Sequence, residues 1–133
     1  MRAFPFVLVL LVAGCDSVES LDVRPIADVM IVDLTEDRFL RLQTEGYEYC
    51  GVPIYVDSRS REGVLEVEVV GAKPVSAACD ALVPGGWSIG VPYPSTDVRI
   101  RHRGETDLYR IRSGDGGLEL VAVRTSTTRL GPR

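Results

Sequence analysis

Short apolar segments, separated by turn residues, recur along most of this chain of 133 residues. In the clearest segment, residues 64–70, apolar side chains from Leu65 to Val69 alternate with Glu66 and Glu68. A period of two is that of a β-strand with one buried face and one solvated face. Breaks about every eight to twelve residues are typical of an all-β sandwich or barrel. The pattern therefore predicts an all-β domain.

The same pattern predicts further strands at 29–34, 39–44, 47–56, 97–103, 108–112 and 118–124. Turns are predicted at 59–63 and 104–107, a long crossing loop at 71–86, and a hairpin loop at 113–117, whose glycines allow positive φ. From residue 125 onward the chain is polar, which predicts a tail.

The N-terminus differs from the rest of the chain because residues 3–13 are apolar without interruption. A helix that crosses a bilayer needs about 20 residues, so this run is too short to span a membrane. The amine of Met1 and the guanidinium of Arg2 precede it. This arrangement fits a secretion signal, which is removed from the mature protein.

Residues 11–15, Leu-Val-Ala-Gly-Cys, resemble the lipobox of bacterial lipoproteins. The resemblance implies that a diacylglycerol is joined to the Cys15 sulfur and that cleavage removes residues 1–14. Each buried methylene adds about 0.8 kcal/mol, so two or three acyl chains anchor a protein firmly. The protein is then expected in the bacterial cell envelope, with the inner or outer membrane left open. An ordinary signal peptide that ends near a cysteine is the alternative.

The resemblance and the strand pattern together divide the chain. The parts are a signal peptide (1–14), the lipidated cysteine with a tether (15–24), a β domain (25–124) and a polar tail (125–133). Export would place Cys50 and Cys79 in an oxidising compartment, where we expect them to form a disulfide. A reactive thiol or a metal ligand is the alternative, but neither cysteine has a C-x-x-C spacing or a nearby histidine.

This many short strands in about 100 residues, with a disulfide, predict an immunoglobulin-like antiparallel β-sandwich. Asp107-Leu108-Tyr109 resembles the tyrosine corner of that fold, which implies that the Tyr109 hydroxyl bonds to nearby backbone. Ile111 stands where a cysteine usually follows this tyrosine. The layout also resembles small bacterial lipoproteins with one sandwich domain. Neither resemblance implies a catalytic residue.

Composition narrows the classes of function. The net charge of −4 argues against general nucleic-acid binding, which favours a basic domain. The single histidine excludes a histidine-rich metal site. Asp115 alone in its glycine-rich loop does not make a calcium site. We therefore expect no metal and no cofactor.

One motif points to catalysis. Gly86-Trp87-Ser88-Ile89-Gly90 matches the nucleophile elbow of serine hydrolases, and Asp97 and His102 follow in the hydrolase order. The elbow needs a strand before the serine and a helix after it, whereas here Pro84-Gly85-Gly86 precedes and Pro92 follows. We expect His102 to be a half-exposed strand residue. A small serine hydrolase stays the alternative function.

Two groups of side chains are candidates for a binding surface. Arg99, Arg101 and Arg103 share one strand face, and Arg110 and Arg112 lie on the next strand. If the faces coincide, this arginine face could receive phosphate, lipid A or an acidic polysaccharide. The alternative is a solvated outer face that is balanced by acids such as Glu66 and Glu68.

The second group is aromatic. Trp87 and Tyr93 lie on a predicted loop between glycines and prolines, where they could stack on sugar rings or anchor a protein partner. The alternative for Trp87 is burial in the core. The leading hypothesis is a non-enzymatic envelope lipoprotein that presents a β-sandwich to another protein or a glycan. A purely structural assembly factor is a further alternative.

Overall fold

A computed structural model describes residues 23–46, 54–73 and 81–132, and these residues form strands and turns without a helix. The strands are β1 (Met30–Leu34), β2 (Phe39–Thr44), β3 (Ile54–Arg61), β4 (Val64–Ala72), β5 (Gly86–Gly90), β6 (Asp97–His102), β7 (Glu105–Gly114), β8 (Gly117–Arg124) and β9 (Thr128–Leu130). Within this part of the chain, no helix long and apolar enough to cross a membrane is found.

Two mixed sheets are built from these strands. The smaller has the order β5-β2-β1-β9, and the larger has the order β3-β4-β6-β7-β8. Most neighbours are antiparallel, but β1 pairs with β9 and β4 pairs with β6 in parallel. The prediction of an antiparallel sandwich is therefore wrong for these two pairs. The two sheets contribute to one buried cluster, which includes Met30, Val32, Leu40 and Leu42 from the smaller sheet and Leu65, Val67, Val98, Ile100 and Tyr109 from the larger. The predicted all-β domain is confirmed, and its arrangement is that of a β-sandwich.

The alternating pattern of β4 and β6 decides which side chains enter the core. Leu65 and Val67 are buried in β4, and Val98 and Ile100 are buried in β6. The two strands run parallel, with Val64 opposite Asp97. Parallel neighbours cannot be joined by a tight turn, so the chain crosses to the smaller sheet and forms β5 between them.

The predicted turn at 59–63 is shorter than expected. Strand β3 continues to Arg61, and only Glu62 and Gly63 form the turn, with φ of 51° and 77°. Positive φ at both central residues is the requirement of a tight type I′ hairpin. Arg59 therefore lies in a strand rather than in a turn.

The predicted crossing loop at 71–86 is wrong at both of its described ends. Strand β4 continues to Ala72, and β5 begins at Gly86. Trp87 therefore lies in a strand and not in a loop. Among the described strands, β5 lies at the edge of its sheet and pairs with β2, and an edge tolerates the flanking glycines.

The predicted polar tail supplies the ninth strand instead. Thr128–Leu130 pairs with Met30–Val32 of β1, so the smaller sheet includes a segment from beyond residue 125. The Gly131 N–H also donates to the Val32 carbonyl oxygen at 2.9 Å. Hydrophobicity does not signal this strand because its buried residue Thr128 is polar, as is the buried Thr127 that precedes it.

A buried carboxylate holds this last strand. Asp107 was expected in a turn but lies in β7, where it is 1% exposed. Its two carboxylate oxygens accept hydrogen bonds from the backbone N–H groups of Ser126, Thr127 and Thr128, at 2.7–3.0 Å. The hydroxyls of Ser126 and Thr128 add two more, at 3.0 and 2.6 Å. We call this group, with Tyr109, the Asp107 clasp.

Tyr109 completes the clasp. Its hydroxyl lies 2.5 Å from the Thr128 Oγ1 atom. The tyrosine-corner expectation is therefore corrected, since the partner is a side chain 19 residues downstream and not nearby backbone. Burial raises the pKa of the Tyr109 hydroxyl, and the charge of Asp107 adds to this rise although the bond to Thr128 opposes it.

Several predictions fall outside the described residues. Residues 1–22, 47–53, 74–80 and 133 are not described, and they include Cys15, Cys50 and Cys79. The signal peptide, most of the tether and the Cys50–Cys79 disulfide therefore stay predictions.

The sandwich has two distinguishable ends. At the near end, where the described chain begins, the Arg24 and Ala72 backbones exchange hydrogen bonds of 2.8 and 2.9 Å. The turn at Arg103–Gly104 lies at this end. The far end carries the connections 35–38, 62–63, 91–96 and 115–116. Backbone pairing at Arg24 shows that this residue of the predicted tether segment belongs to the fold.

Candidate functional site

The three residues of the hydrolase alternative are not brought together. Ser88 lies on β5 of the smaller sheet, whereas Asp97 and His102 lie at opposite ends of β6 in the larger sheet. Asp97 shares the outer face with the exposed arginines, and His102 shares the buried face with Val98 and Ile100. Asp97 and His102 therefore make no contact with each other in the described part of the chain.

His102 has a different role from the one predicted. It is 2% exposed rather than half-exposed. Its Nε2 atom lies 2.8 Å from the carbonyl oxygen of Asp28, which is 74 residues away in sequence. Such a distant partner leaves no local signal in the sequence, and the contact joins β6 to the segment that leads into β1.

The outer face of the larger sheet is the most charged surface described, and we call it the charged sheet face. Its charged members are Asp57, Arg59, Arg61, Glu66, Glu68, Asp97, Arg99, Arg101, Arg110, Arg112, Glu119 and Arg124. Arg99 and Arg101 do share this face with Arg110 and Arg112, as the sequence predicts. Register places Glu66 directly between Arg59 and Arg99.

Ion pairs balance most of this face. The Arg59 Nε atom donates to the Glu66 carboxylate at 2.5 Å, and Arg99 lies 3.7 Å from the other oxygen of that carboxylate. The hydrogen bond from Arg59 is the largest influence on the pKa of Glu66. With the smaller effects of the charges of Arg59, Arg99 and Arg61, it outweighs burial and holds this pKa below its ordinary value. Two further pairs are Arg110–Asp97 at 3.4 Å and Arg112–Glu119 at 2.7 Å. The face therefore resembles a solvated, self-paired surface more than an anion site.

Arg103 does not belong to the charged sheet face. It lies in the turn after β6 with φ of 55°, and its Nη1 atom donates to the Ala27 carbonyl oxygen at 2.9 Å. The predicted trio of arginines is therefore reduced to Arg99 and Arg101 on this face. Arg103 instead fixes the near end of the sandwich.

A shallow depression of about 490 Å³ lies on the charged sheet face. Arg59, Arg99 and Arg101 line it, and so do Asp57, Glu66 and Glu68. Charges of both signs line it in equal number, which gives it no preference for an anion. Among the described residues, no group of three or more histidine, cysteine or carboxylate side chains is placed to hold a metal ion.

The two aromatic candidates lie apart. Trp87 is 39% exposed on β5, in register with Leu42 and two residues from the buried Ile89. Alternation therefore places its side chain at the rim between the sheets and not on an open outer face. Tyr93 lies in the connection between β5 and β6 at the far end and is 86% exposed.

Tyr93 is held by a residue that sequence reasoning missed. The Arg38 guanidinium carbon lies 5.6 Å from the centre of the Tyr93 ring. Arg38 also donates from Nε and Nη2 to the carbonyl oxygens of Val91 and Pro92, at 3.4 Å each. The Val91 N–H donates back to the Arg38 carbonyl oxygen at 2.8 Å. We call Arg38, Phe39, Pro92, Tyr93 and Pro94 the far tip.

No family model, curated protein or solved structure matches this chain. Function must therefore be argued from the surfaces of the sandwich. Of these surfaces, the charged sheet face is largely self-paired, while the far tip exposes an aromatic ring on a fixed backbone. The far tip is therefore the stronger candidate for a binding surface.

Proposed function

We propose that this chain is a bacterial envelope lipoprotein whose β-sandwich is a non-enzymatic module for contact with another protein or a glycan. The observation that carries the proposal is the Leu11–Cys15 lipobox pattern, which directly follows the apolar run of residues 3–13. A diacylglycerol on the Cys15 sulfur would tether the module to a membrane. Confinement there raises the effective concentration of any partner, so that a weak contact suffices.

The position of the near end supports this arrangement. In the described chain, backbone pairing begins at Arg24, and residues 16–23 would join Cys15 to it. Extended, they reach at most about 26 Å at about 3.3 Å per residue. An anchored sandwich would then keep its near end close to the lipid and hold the far tip away from it.

The arrangement of side chains supports contact rather than catalysis. Ser88, Asp97 and His102 occupy two sheets and two faces, which disfavours the hydrolase alternative. The exposed aromatic ring at the far tip favours contact over a scaffold that has no exposed ligand surface.

The finer fold type is also proposed. The parallel pairing of the first strand with the last and the hairpins of the larger sheet support an immunoglobulin-like sandwich with a Cys50–Cys79 disulfide. Peptide mass mapping without reduction tests the disulfide: a Cys50–Cys79 crosslinked peptide is expected. Two alkylated thiols at these positions would contradict the disulfide, and a crystal structure whose strand order differs from the immunoglobulin one would contradict the fold type.

The anchor is tested by mass spectrometry of the chain purified from a bacterial envelope, with Cys15→Ser as the variant and Ser17→Ala as the matched control. We expect wild type and Ser17→Ala to lack residues 1–14 and to carry acyl mass on the N-terminal peptide. Cys15→Ser should keep the leader and carry no lipid. An intact, unmodified wild-type leader, or a Cys15 thiol that alkylates freely, would overturn the proposal.

A further inference from the structure

We propose that the far tip is an anchor for a partner protein, which receives the Tyr93 ring in an apolar pocket rimmed by basic side chains. This inference deepens the proposed function, because it names the partner class of the contact module. It is carried by the Tyr93 and Arg38 pair, the exposure of the ring, and the free carboxylates beside it.

The ring is exposed to a degree that requires explanation. Tyr93 is 86% exposed, against 39–55% for the other exposed large hydrophobic side chains of the described chain. A ring with this solvent exposure projects from the surface and does not lie in a concave site. It has the shape to enter a pocket of a partner, whereas a ligand-binding platform would be recessed.

The backbone beneath the ring is fixed. The Ser95 N–H donates to the Pro92 carbonyl oxygen at 2.9 Å, and the Thr96 N–H donates to the Gly63 carbonyl oxygen at 2.9 Å. Ser95 itself is 6% exposed. Together with the bonds from Arg38, these contacts hold the backbone that carries Tyr93 in one position before any partner arrives. Preorganisation of this kind reduces the entropy cost of binding.

The far tip has the chemistry of an interface hot spot. Tyrosine and arginine are the residue types that most often dominate binding energy, and they do so when they enter a desolvated pocket. Phe39, 45% exposed, follows Arg38 directly and would extend the apolar contact. One side of the Tyr93 ring faces Arg38, and the exposure leaves the rest to a partner.

The charged side chains around the far tip indicate which charge should surround the partner's pocket. Glu36 and Asp37 lie in the same turn as Arg38, and Glu62 lies in the neighbouring turn. All three are exposed, and none makes an ion pair in the part of the chain that the structure describes. Arg38 and Arg61 adjoin these carboxylates in sequence, so that three carboxylates and two guanidiniums leave the tip with a net negative charge. The three carboxylates would complement lysine or arginine side chains around the partner's pocket.

The first experiment maps contacts of the full chain in its own cells. A photo-crosslinking phenylalanine analogue replaces Tyr93 in one variant and Val70 in the control. Val70 is 45% exposed but lies on β4, far from the tip. We expect one protein to crosslink at position 93 and not at position 70. Equal products at both positions, or crosslinking to glycan alone, would overturn the proposal.

The second experiment measures affinity between the purified partner and the chain in lipid nanodiscs. Tyr93→Ala should weaken binding about 30-fold, the loss typical of a hot spot. Tyr93→Phe should keep most of the affinity, and Val70→Ala all of it. The double neutralisation Glu36→Gln with Asp37→Asn should slow association and reduce its dependence on salt. An unchanged affinity of Tyr93→Ala would refute the anchor role.

A loss of folding should not explain these results, because the Tyr93 side chain is exposed and its removal should leave the stability of the chain unchanged. Its alanine variant should unfold at the wild-type temperature. The two proposals also fail separately. An unlipidated Cys15 together with specific crosslinking at position 93 would refute only the proposal of a membrane anchor. A lipidated Cys15 without that crosslink would refute only the proposal of a docking site.

Discussion

Asp107 shows how a carboxylate can be accommodated in the core of this sandwich. Burial raises its pKa, but the hydrogen bonds from Thr128 and Ser126 more than offset this effect, so the pKa lies below the ordinary value of 3.8. Five donors satisfy its two oxygens. A buried charge is tolerated only when it is compensated in this way. The residue therefore acts as the attachment point of the last strand.

Replacement of Asp107 by asparagine should lower the free energy of unfolding by about 2–4 kcal/mol, because the new NH₂ group would face backbone donors. Denaturant unfolding measures the effect. Asp115→Asn is the matched control, since Asp115 is exposed in a turn, and it should change stability by less than about 0.5 kcal/mol. Equal stability of Asp107→Asn and wild type would show that the Asp107 clasp contributes little to the free energy of unfolding.

The clasp also gives stability a pH dependence. Because the folded-state pKa of Asp107 is lowered, its contribution is present above the unfolded-state pKa and is lost as the pH falls through the folded-state pKa. Below about pH 4, wild type should lose stability more steeply than Asp107→Asn. Unfolding curves of both proteins between neutral pH and about pH 2 measure this difference. Parallel curves would contradict the assignment.

At the scale of elements, the tight turns contain unfavourable residues. Glu62 has a φ of 51°, in the left-handed region that side chains other than asparagine and glycine adopt at a cost. Asn-Gly is the preferred sequence for this type of turn. Glu62→Asn should therefore stabilise the protein by about 0.5–1 kcal/mol, as measured by denaturant unfolding.

The control for this change is Glu36→Asn, in a turn position whose φ is not positive. It should bring no comparable gain. If both substitutions changed stability alike, the cause would be the loss of a carboxylate and not backbone strain.

Strand β9 makes a second element-scale prediction. A chain that ends at Arg124 should fail to show a cooperative unfolding transition, because it loses the neighbour of β1 and all five donors to Asp107. Circular dichroism during heating tests this. Removal of residues 132–133 alone is the control and should leave the transition intact. A cooperative unfolding transition of the chain that ends at Arg124 would support the original prediction that residues 125–133 are a tail.

Sequence reasoning succeeded where side chains alternate and failed where partners are distant. β4 and β6 were predictable because apolar and charged residues follow a period of two. β9 was missed because polar side chains are buried against Asp107, and β5 because glycines and prolines surround it. The Arg38–Tyr93 contact joins residues far apart in sequence, which periodicity cannot reveal.

At the scale of the whole molecule, the two ends of the sandwich differ in what they present. At the near end, Arg24 pairs with Ala72, and Arg103 of the turn after β6 donates to the Ala27 carbonyl oxygen. Tyr93 lies at the opposite end, beyond the length of β6. Six residues of strand correspond to about 20 Å. An anchor at Cys15 would therefore give the molecule an orientation relative to the lipid surface.

Lipid-dependent quenching measures this orientation. Environment-sensitive dyes are attached at cysteines introduced by Tyr93→Cys in one variant and Glu105→Cys in the other, in the anchored protein on vesicles. Lipids with spin-labelled headgroups should quench the dye at position 105 more than the dye at position 93. Equal quenching would indicate a molecule that lies flat or tumbles on its tether.

The parallel pairing of β1 with β9 has a consequence for folding. Whether the chain emerges from a ribosome or from an export channel, Met30–Val32 emerges long before residues 128–130, which supply its second neighbour. Until then the smaller sheet has an open border beside Met30 and Val32. A chain cut short before residue 128 would keep that border, and an open strand edge is a template for pairing with another chain.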